Sequence, residues 1–314
     1  MKAFFSCSSR VLAFAILFLG SLRTTSLAQT KTVAERLGYP ADSKLLIIHA
    51  DDLAVAHSED AASFDALDQK AVSSASIMVP CAWLTEVAAY AKAHPDADLG
   101  LHLTLTSEWQ TYRWGPVEPK DKVPSLLDPD GYLWQEAEPA RQHIKAEEAE
   151  REIRAQIDHA ISVGIHPTHV DSHMGMLFLR PDLFAAYVKV AHEYKLPFLA
   201  FLEPTTPKEL SSLLSPNDLL INGVEIATPN IPVANWKSFY LNSIKNLKPG
   251  VTEIIVHLGH DDAELQAVTV GHVDYGAAWR QRDYDVVTSP EFKKALQDNH
   301  VIVVGWKDLK KLLN

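Results

Sequence analysis

The chain alternates short apolar runs with longer amphipathic stretches from residue 45 onward. The apolar runs, rich in β-branched residues, predict strands at 45–50, 74–79, 99–105, 167–171, 197–201, 253–258 and 301–305. The clearest amphipathic stretches predict helices at 146–164, 180–194 and 289–299. Strands that alternate with helices indicate βα units and therefore a parallel sheet.

This pattern predicts an α/β fold in a single domain over residues 44–314, a TIM-barrel-like (β/α) barrel that is seven-stranded or incomplete. An open, doubly wound sheet is the alternative. No predicted strand is followed by a GxGxxG or Walker loop, so the usual nucleotide-binding signature of that alternative is missing. The polar, aromatic stretch 107–134 is too long for a simple connection, and long loops in compact domains are usually functional.

The first 28 residues differ from the rest of the chain. Lys2 and Arg10 precede the apolar run VLAFAILFLG, and small residues end at Ala28, a pattern that predicts a cleaved secretory signal peptide over residues 1–28. The apolar run is too short to span a bilayer, so we expect a secreted or periplasmic protein with no stable membrane anchor after cleavage. Residues 29–43 are then an N-terminal extension.

The composition and net charge of the chain argue against some classes of binding partner. The 314 residues are 47% hydrophobic and carry a formal net charge of -11, which suits a folded domain and argues against nucleic acid or anionic polymers as partners. Cleavage after residue 28 would leave Cys81 as the single cysteine, so no intramolecular disulfide is expected.

Polar residues with metal-binding chemistry follow several of the predicted strands. Asp51 and Asp52 are adjacent at the end of the strand 45–50, although their charges repel. The other candidates at strand ends are His102, His169, Asp171, His173, His257 and His260. Because the carboxyl ends of barrel strands meet at one rim, these groups are expected to lie together. Imidazole and carboxylate ligands suit a divalent cation, and the pattern therefore predicts a metal site at that rim.

Five separated motifs resemble one known family. ADDLAVAHS, GLHLTLTSEW, PTHVDSHMGM, EIIVHLGHDDAEL and WRQRDYDVVTSPEF occur in the order and spacing of the YdjC-like family, the ChbG/HpnK carbohydrate deacetylases. The resemblance implies a TIM-barrel-like fold and the removal of acetyl groups from N-acetylated sugars, such as chitooligosaccharides, with the help of a divalent cation.

Carried over position by position, the resemblance implies distinct roles for the adjacent acids. Asp52, His102 and His173 are the implied ligands of one divalent cation, Mg²⁺ or Zn²⁺. Asp51 is the implied general base that takes a proton from water, and His257 is the implied acid that protonates the leaving amine. A cation bound to Asp52 would remove most of its repulsion on Asp51, which explains how the two carboxylates can be neighbours.

Other residues near these motifs have less specific roles. His169 and Asp171 are expected to orient the ligands rather than bind the metal. His49, just before the two acids, is expected to be a buried packing residue, although it could reach the site. His260 is the alternative to His257 as the acid.

Aromatic residues in the stretch 107–134 predict contacts with sugar. Aromatic rings suit the apolar faces of pyranose rings, and Trp109 and Trp114 are candidates for such contacts. Arg280 is a third candidate, which could bind sugar hydroxyls or pair with Asp283.

The chain departs from the usual motifs of the family beside the reacting centre. Leu53-Ala54, Met174-Gly175-Met176 and Leu258 stand where other residues are common, so the identity of the sugar stays open. Two alternatives also stay open. One is a noncatalytic glycan-binding barrel, against which the presence of a base beside a metal ligand argues. The other is a metal hydrolase acting on another amide or an ester.

Overall fold

The computed structural model of the protein describes residues 31–202 and 206–313, so the predicted signal peptide lies outside the described residues. The strands are β1 Lys44–Leu53, β2 Ser74–Ile77, β3 Leu99–Leu103, β4 Val170–Ser172, β5 Gly223–Ile226, β6 Gly250–His257 and β7 Ile302–Val303. The helices are α1 Val33–Arg36, α2 His57–Asp68, α3 Leu84–Ala93, α4 Ala137–His143, α5 Ala146–Ser162, α6 Pro181–Tyr194, α7 Lys208–Ser211, α8 Trp236–Asn246, α9 Ala263–Val268, α10 Ala277–Val287, α11 Pro290–Asp298 and α12 Trp306–Lys310. In this part of the chain no helix has both the length and the apolar character needed to cross a membrane.

The strands form one curled parallel sheet with the order β4-β3-β2-β1-β6-β5, and β7 pairs with the first half of β1. The predicted α/β barrel-like fold is therefore confirmed. The longest pairing joins β1 to β6, in a register that runs from Lys44 opposite Gly250 to Asp51 opposite His257. That register alone brings the first acid of the pair beside a histidine that lies 206 positions later in the chain.

The side of the barrel between β4 and β5 is irregular. Phe198 forms an isolated parallel bridge to Val170, and Phe201 forms another to Ile221. The strand predicted at 197–201 is thus wrong as a regular strand, because only these two bridges form there. The strand β5 was missed, since its four residues alternate apolar and small or charged side chains over too short a run to stand out.

Alternation along the strands divides the core into two layers. Leu46 and Ile48 of β1 pack in the main core with the helices outside the sheet. Leu45 and Ile47 point to the opposite face and pack with Trp306 and with Ala34 of α1 in the barrel interior. Side chains two residues apart share a face, so the interior side of β1 is apolar at its beginning and carries His49 and Asp51 at its end.

Candidate active site

A break in the pleat of β1 lets two adjacent carboxylates reach one cavity. In a regular strand Asp51 and Asp52 would point to opposite faces. Here Ala50 of β1 pairs with Ala75 of β2, and Leu53 pairs with Ile77, so β1 has one residue more than β2 between these two pairs. This extra residue forms a β-bulge. Asp52 takes a left-handed conformation with φ 73°, so its side chain turns toward the same cavity as that of Asp51. The cavity has a volume of about 870 Å³ and lies at the carboxyl ends of the strands.

The structure brings Asp52 together with His102 and His173. Asp52 Oδ1 lies 3.4 Å from His102 Nε2 and 3.5 Å from His173 Nδ1. The three candidate ligand atoms are within 4.8 Å of one another. Asp52 Oδ1 is buried and has no hydrogen-bond partner, which is a costly arrangement unless another positive group binds there. The donor set and its unpaired oxygen fit a divalent cation.

Each of the two histidines is held by a carboxylate on its other ring nitrogen. His102 Nδ1 donates to Asp171 Oδ1 at 2.6 Å, and His173 Nε2 donates to Glu108 Oε2 at 2.9 Å. With a cation bound, these bonds would fix the tautomers and leave His102 Nε2 and His173 Nδ1, which both face Asp52, as the nitrogens that bind it. Asp171 thus has the geometry expected of an orienting residue. Glu108 was missed by the sequence analysis, although it lies inside the motif GLHLTLTSEW.

The electrostatic surroundings favour positive charge between these groups. Burial lowers the pKa of His173, but the charges and hydrogen bonds of Glu108 and Asp52 outweigh this effect and raise it to about 10. Burial likewise raises the pKa of Asp52, whereas Arg280 and His173 hold it well below its ordinary value. Asp52 is therefore an ionised carboxylate, as a metal ligand must be.

We expect Asp171→Asn to weaken divalent metal binding by about 10-fold to 100-fold, the usual cost of losing a carboxylate behind a histidine ligand. Titration calorimetry of the metal-free protein measures this loss. His102→Ala, which removes the ligand itself, should lose more affinity than Asp171→Asn. His260→Ala is the control and should bind metal like the parent. Parental affinity in His102→Ala would contradict the assignment of these residues to a metal site.

Arg280 of α10 holds the second oxygen of Asp52. Its Nη2 donates to Asp52 Oδ2 at 2.8 Å, and its Nε lies 3.2 Å from Glu59 Oε1. The guanidinium is 1% exposed and borders the cavity. Arg280 therefore anchors Asp52 and does not pair with Asp283. Glu59 was also missed from the sequence, because its position on α2 gives no sign of a contact with a helix more than 200 residues away.

His257 lies beside the acids, at the end of the neighbouring strand β6. Its Nε2 is 3.8 Å from Asp51 Oδ2 and 4.0 Å from Asp52 Oδ2. Burial lowers the pKa of His257 to about 4, so its ring is neutral at neutral pH. His260 does not line the cavity, and its ring packs against Tyr284 with ring centroids 5.0 Å apart. The structure thus places His257, and not His260, beside the acids.

The cavity is lined by both polar and apolar side chains. Glu108, Gln110, Gln135 and Asp274 supply polar groups, and Phe178, Leu199, Phe201, Val224, Ile226 and Ile255 supply apolar ones. Trp109 lines the cavity and is 2% exposed. Trp114 packs against Trp109 with ring centroids 5.8 Å apart, and its indole donates to the Thr106 carbonyl at 2.8 Å. Of the two predicted tryptophans, Trp109 is thus the one with a cavity-facing surface.

Only some of the residues that differ from the family motifs line the cavity. Leu53, Ala54 and Leu258 are fully buried and do not line the cavity. Met174 and Gly175 do line it, and Met174 is 44% exposed. Among the motif departures, the segment 174–175 is therefore the one that can contact substrate directly.

Comparisons with known proteins show which family the chain resembles. A family model described as YdjC-like protein matches residues 45–298. A Thermus thermophilus protein named carbohydrate deacetylase is 32% identical over 291 residues, which cover 89% of this chain and 98% of the relative. A Yersinia enterocolitica chitooligosaccharide deacetylase is 32% identical over 159 residues, covering 49% of this chain and 58% of the relative.

A solved structure shows the same fold. The crystal structure of a proposed cellobiose-phosphate cleavage protein from Enterococcus faecalis matches with a TM-score of 0.72 and 23% sequence identity. The match covers 85% of this chain and 99% of that chain, so most of this chain shares that fold.

Proposed function

This chain belongs to the YdjC-like protein family, and on that premise we propose that it hydrolyses the N-acetyl group of an amino sugar or a chitooligosaccharide. Two of its relatives are named for carbohydrate and chitooligosaccharide deacetylation. The observation that carries the proposal is the separation of the adjacent acids. Asp52 accepts from Arg280 and lies within 3.5 Å of both oriented imidazoles, whereas Asp51 accepts from Ser76 and lies 3.7 Å from His102 and 3.8 Å from His257.

Asp52, His102 and His173 would hold one divalent cation. Such an ion lowers the pKa of water and polarises an amide carbonyl. Two imidazoles and one carboxylate form a donor set that suits Zn²⁺ better than Mg²⁺, which prefers oxygen ligands. We therefore favour Zn²⁺ of the two ions.

The proton transfers are assigned to Asp51 and His257. Asp51 accepts a proton as water attacks the carbonyl carbon and a C–O bond forms. The amide nitrogen must gain a proton before the C–N bond breaks to give acetate and a free amine. His257 is neutral, and its Nε2 lies 3.8 Å from Asp51 Oδ2, so it is assigned to pass the proton to the nitrogen once this distance shortens to hydrogen-bond length in the substrate complex.

The cavity walls support a sugar substrate. Its volume of about 870 Å³ lies in the range of small-molecule sites, about 300–1,000 Å³. Carboxylate and amide groups that line the cavity suit the hydroxyl groups of a sugar. The product would be a sugar amine, which is a cation at neutral pH. The protein has a net charge of -11 and would not repel it.

Acetate release from a panel of N-acetylated sugars tests the proposal. We expect release from N-acetylglucosamine or its β-1,4-linked oligomers, loss of activity with a chelator, and recovery when Zn²⁺ is restored. Sugar binding without acetate release would identify a glycan-binding barrel. Hydrolysis of esters with no release from any N-acetyl sugar would identify a different hydrolase.

We also propose that the protein is exported, on the basis of the signal-peptide pattern at residues 1–28. N-terminal sequencing of the protein recovered outside the cytoplasm of its host should begin at Gln29. An intact Met1 in that fraction would contradict cleavage.

A further inference from the structure

His49 lies directly beneath the two acids in the barrel interior. It is fully buried, and it shares the interior face of β1 with Asp51. Its Nε2 lies 3.1 Å from Asp171 Oδ2, 3.2 Å from Asp51 Oδ1 and 3.0 Å from Ser76 Oγ. Packing, the role expected from the sequence, does not account for one nitrogen that contacts three polar oxygens.

The surrounding groups determine which nitrogen of His49 carries a proton. Ionised carboxylates only accept hydrogen bonds, so Nε2 must be the donor toward Asp171. Ser76 Oγ donates to Asp51 Oδ1 at 3.3 Å and therefore accepts from His49 Nε2. A single N–H group thus connects Asp51, directly and through Ser76, with Asp171.

The carboxylates of Asp171 and Asp51 have different roles in the proposed reaction. Asp171 uses its other oxygen to hold His102, one of the proposed metal ligands. Asp51 keeps its Oδ1 on the side of His49 and Ser76, and its Oδ2 faces His102 and His257. One oxygen of the base is therefore anchored below the site and the other is free to accept a proton.

We propose that His49 is a positioning residue that fixes the base Asp51 relative to Asp171 and hence to the metal ligand His102. This inference rests on the proposed deacetylase function. In the proposed reaction the attacking water would lie between the base and the metal ligands, so a change in their separation would act on the attack itself. A misplacement of about 1 Å in a reacting group can cost about 100-fold in rate.

The remaining neighbours of His49 hold the ring without touching the reacting groups. Nδ1 has no hydrogen-bond partner and lies 3.7 Å from Glu253 Oε1, which accepts a bond from the Trp306 indole at 2.7 Å. The His169 ring packs edge-on with its centroid 5.0 Å away. A second explanation is a buried cation, because candidate ligand atoms of His49, His169 and Asp171 lie within 4.8 Å of one another.

Two substitutions of His49 by amide residues distinguish a positioning role from a packing role. The side-chain amide nitrogen of Gln reaches the position of His Nε2, whereas that of Asn ends near the position of Nδ1, on the side of Glu253. His49→Gln should keep kcat within about 10-fold of the parent, and His49→Asn should lose about 100-fold in kcat with KM nearly unchanged. Metal affinity of the metal-free protein, measured by calorimetry, should be retained in His49→Gln.

Each outcome bears on a specific claim. An inactive parent enzyme contradicts the proposed function and not this inference, whereas equal kcat losses in folded His49→Gln and His49→Asn overturn the inference. A parent that binds two metal equivalents per chain, with one lost in His49→Gln, also overturns it in favour of a buried metal site.

Ser76→Ala provides a second test if the His49 variants do not fold. It removes the hydroxyl link to Asp51 and should lower kcat by about 10-fold, at the lower end of the cost of removing a supporting group. Ser74→Ala is the matched control, since Ser74 is a buried serine on the same strand that bonds the Asp98 carbonyl instead. Equal kcat values in Ser76→Ala and Ser74→Ala would contradict the proposed link.

Discussion

Asp51→Asn is expected to lower kcat on an N-acetyl sugar by about 100-fold to 10,000-fold, the usual contribution of a general base. The substitution keeps the shape of the side chain and its Oδ1 contact with Ser76, but an amide nitrogen in place of Oδ2 cannot accept a proton. Asp52, His102 and His173 are unchanged, so metal binding should be retained. Steady-state kinetics and metal content on the same preparation measure both effects.

Asp98→Asn is the control for replacing a buried aspartate. Asp98 is 6% exposed, and its Oδ2 accepts from the backbone N–H of Lys307 at 2.8 Å, away from the cavity. This variant should lose stability without a comparable loss of kcat. Near-normal turnover by Asp51→Asn, or loss of metal from it, would contradict the division of roles between Asp51 and Asp52.

The sequence was sufficient to place the residues of the candidate site at one rim. The rule that parallel strands end at the same edge depends only on recognising β1, β3, β4 and β6, and the apolar runs of β1, β3 and β6 are clear. It brought Asp51, Asp52, His102, His173 and His257 together without any tertiary information, and all five line the cavity.

The partners of those residues could not be found in this way. Glu59 reaches the site from α2 and Glu108 from the loop after β3, and a local pattern carries no signal of that packing. His49 lies on β1 itself, but the strand pattern did not show that it contacts Asp51 and Asp171. The break in the pleat at Asp52 is also a tertiary effect. Asp52 adopts its left-handed conformation at the point where the pairing register between β1 and β2 shifts. The alternation rule would have turned Asp52 away from Asp51.

An excess of buried carboxylates is the main electrostatic property of the site. Asp51, Asp52, Glu108 and Asp171 surround the imidazoles, and Arg280 is the one fixed cation among the residues described as lining the cavity. Burial raises the pKa of Asp171, but His102 and His49 lower it below its ordinary value. The protein thus retains negative charge in a buried place, which is costly unless a cation binds. This excess supports the proposed metal more directly than any single distance.

His257→Ala is expected to lower the rate on an N-acetyl sugar by about 100-fold or more, as for other residues that transfer a proton in the reaction. An amide nitrogen leaves poorly until it is protonated, so the acid matters most for that bond. An activated aryl acetate has a leaving group that departs without a proton. The variant should therefore keep most of its activity on the aryl ester while it loses activity on the amide.

Comparing the two substrates shows whether His257 transfers a proton or only holds the two acids in position. His257 Nε2 lies about equally far from both acids, at 3.8 Å from Asp51 and 4.0 Å from Asp52, so its loss could also disturb their positions. A disturbed base or metal ligand would slow both substrates alike, because both need the attacking water. His260→Ala, whose ring lies outside the cavity, should leave both rates unchanged. Equal losses on amide and ester in His257→Ala would show that His257 positions the acids and that another group protonates the amine.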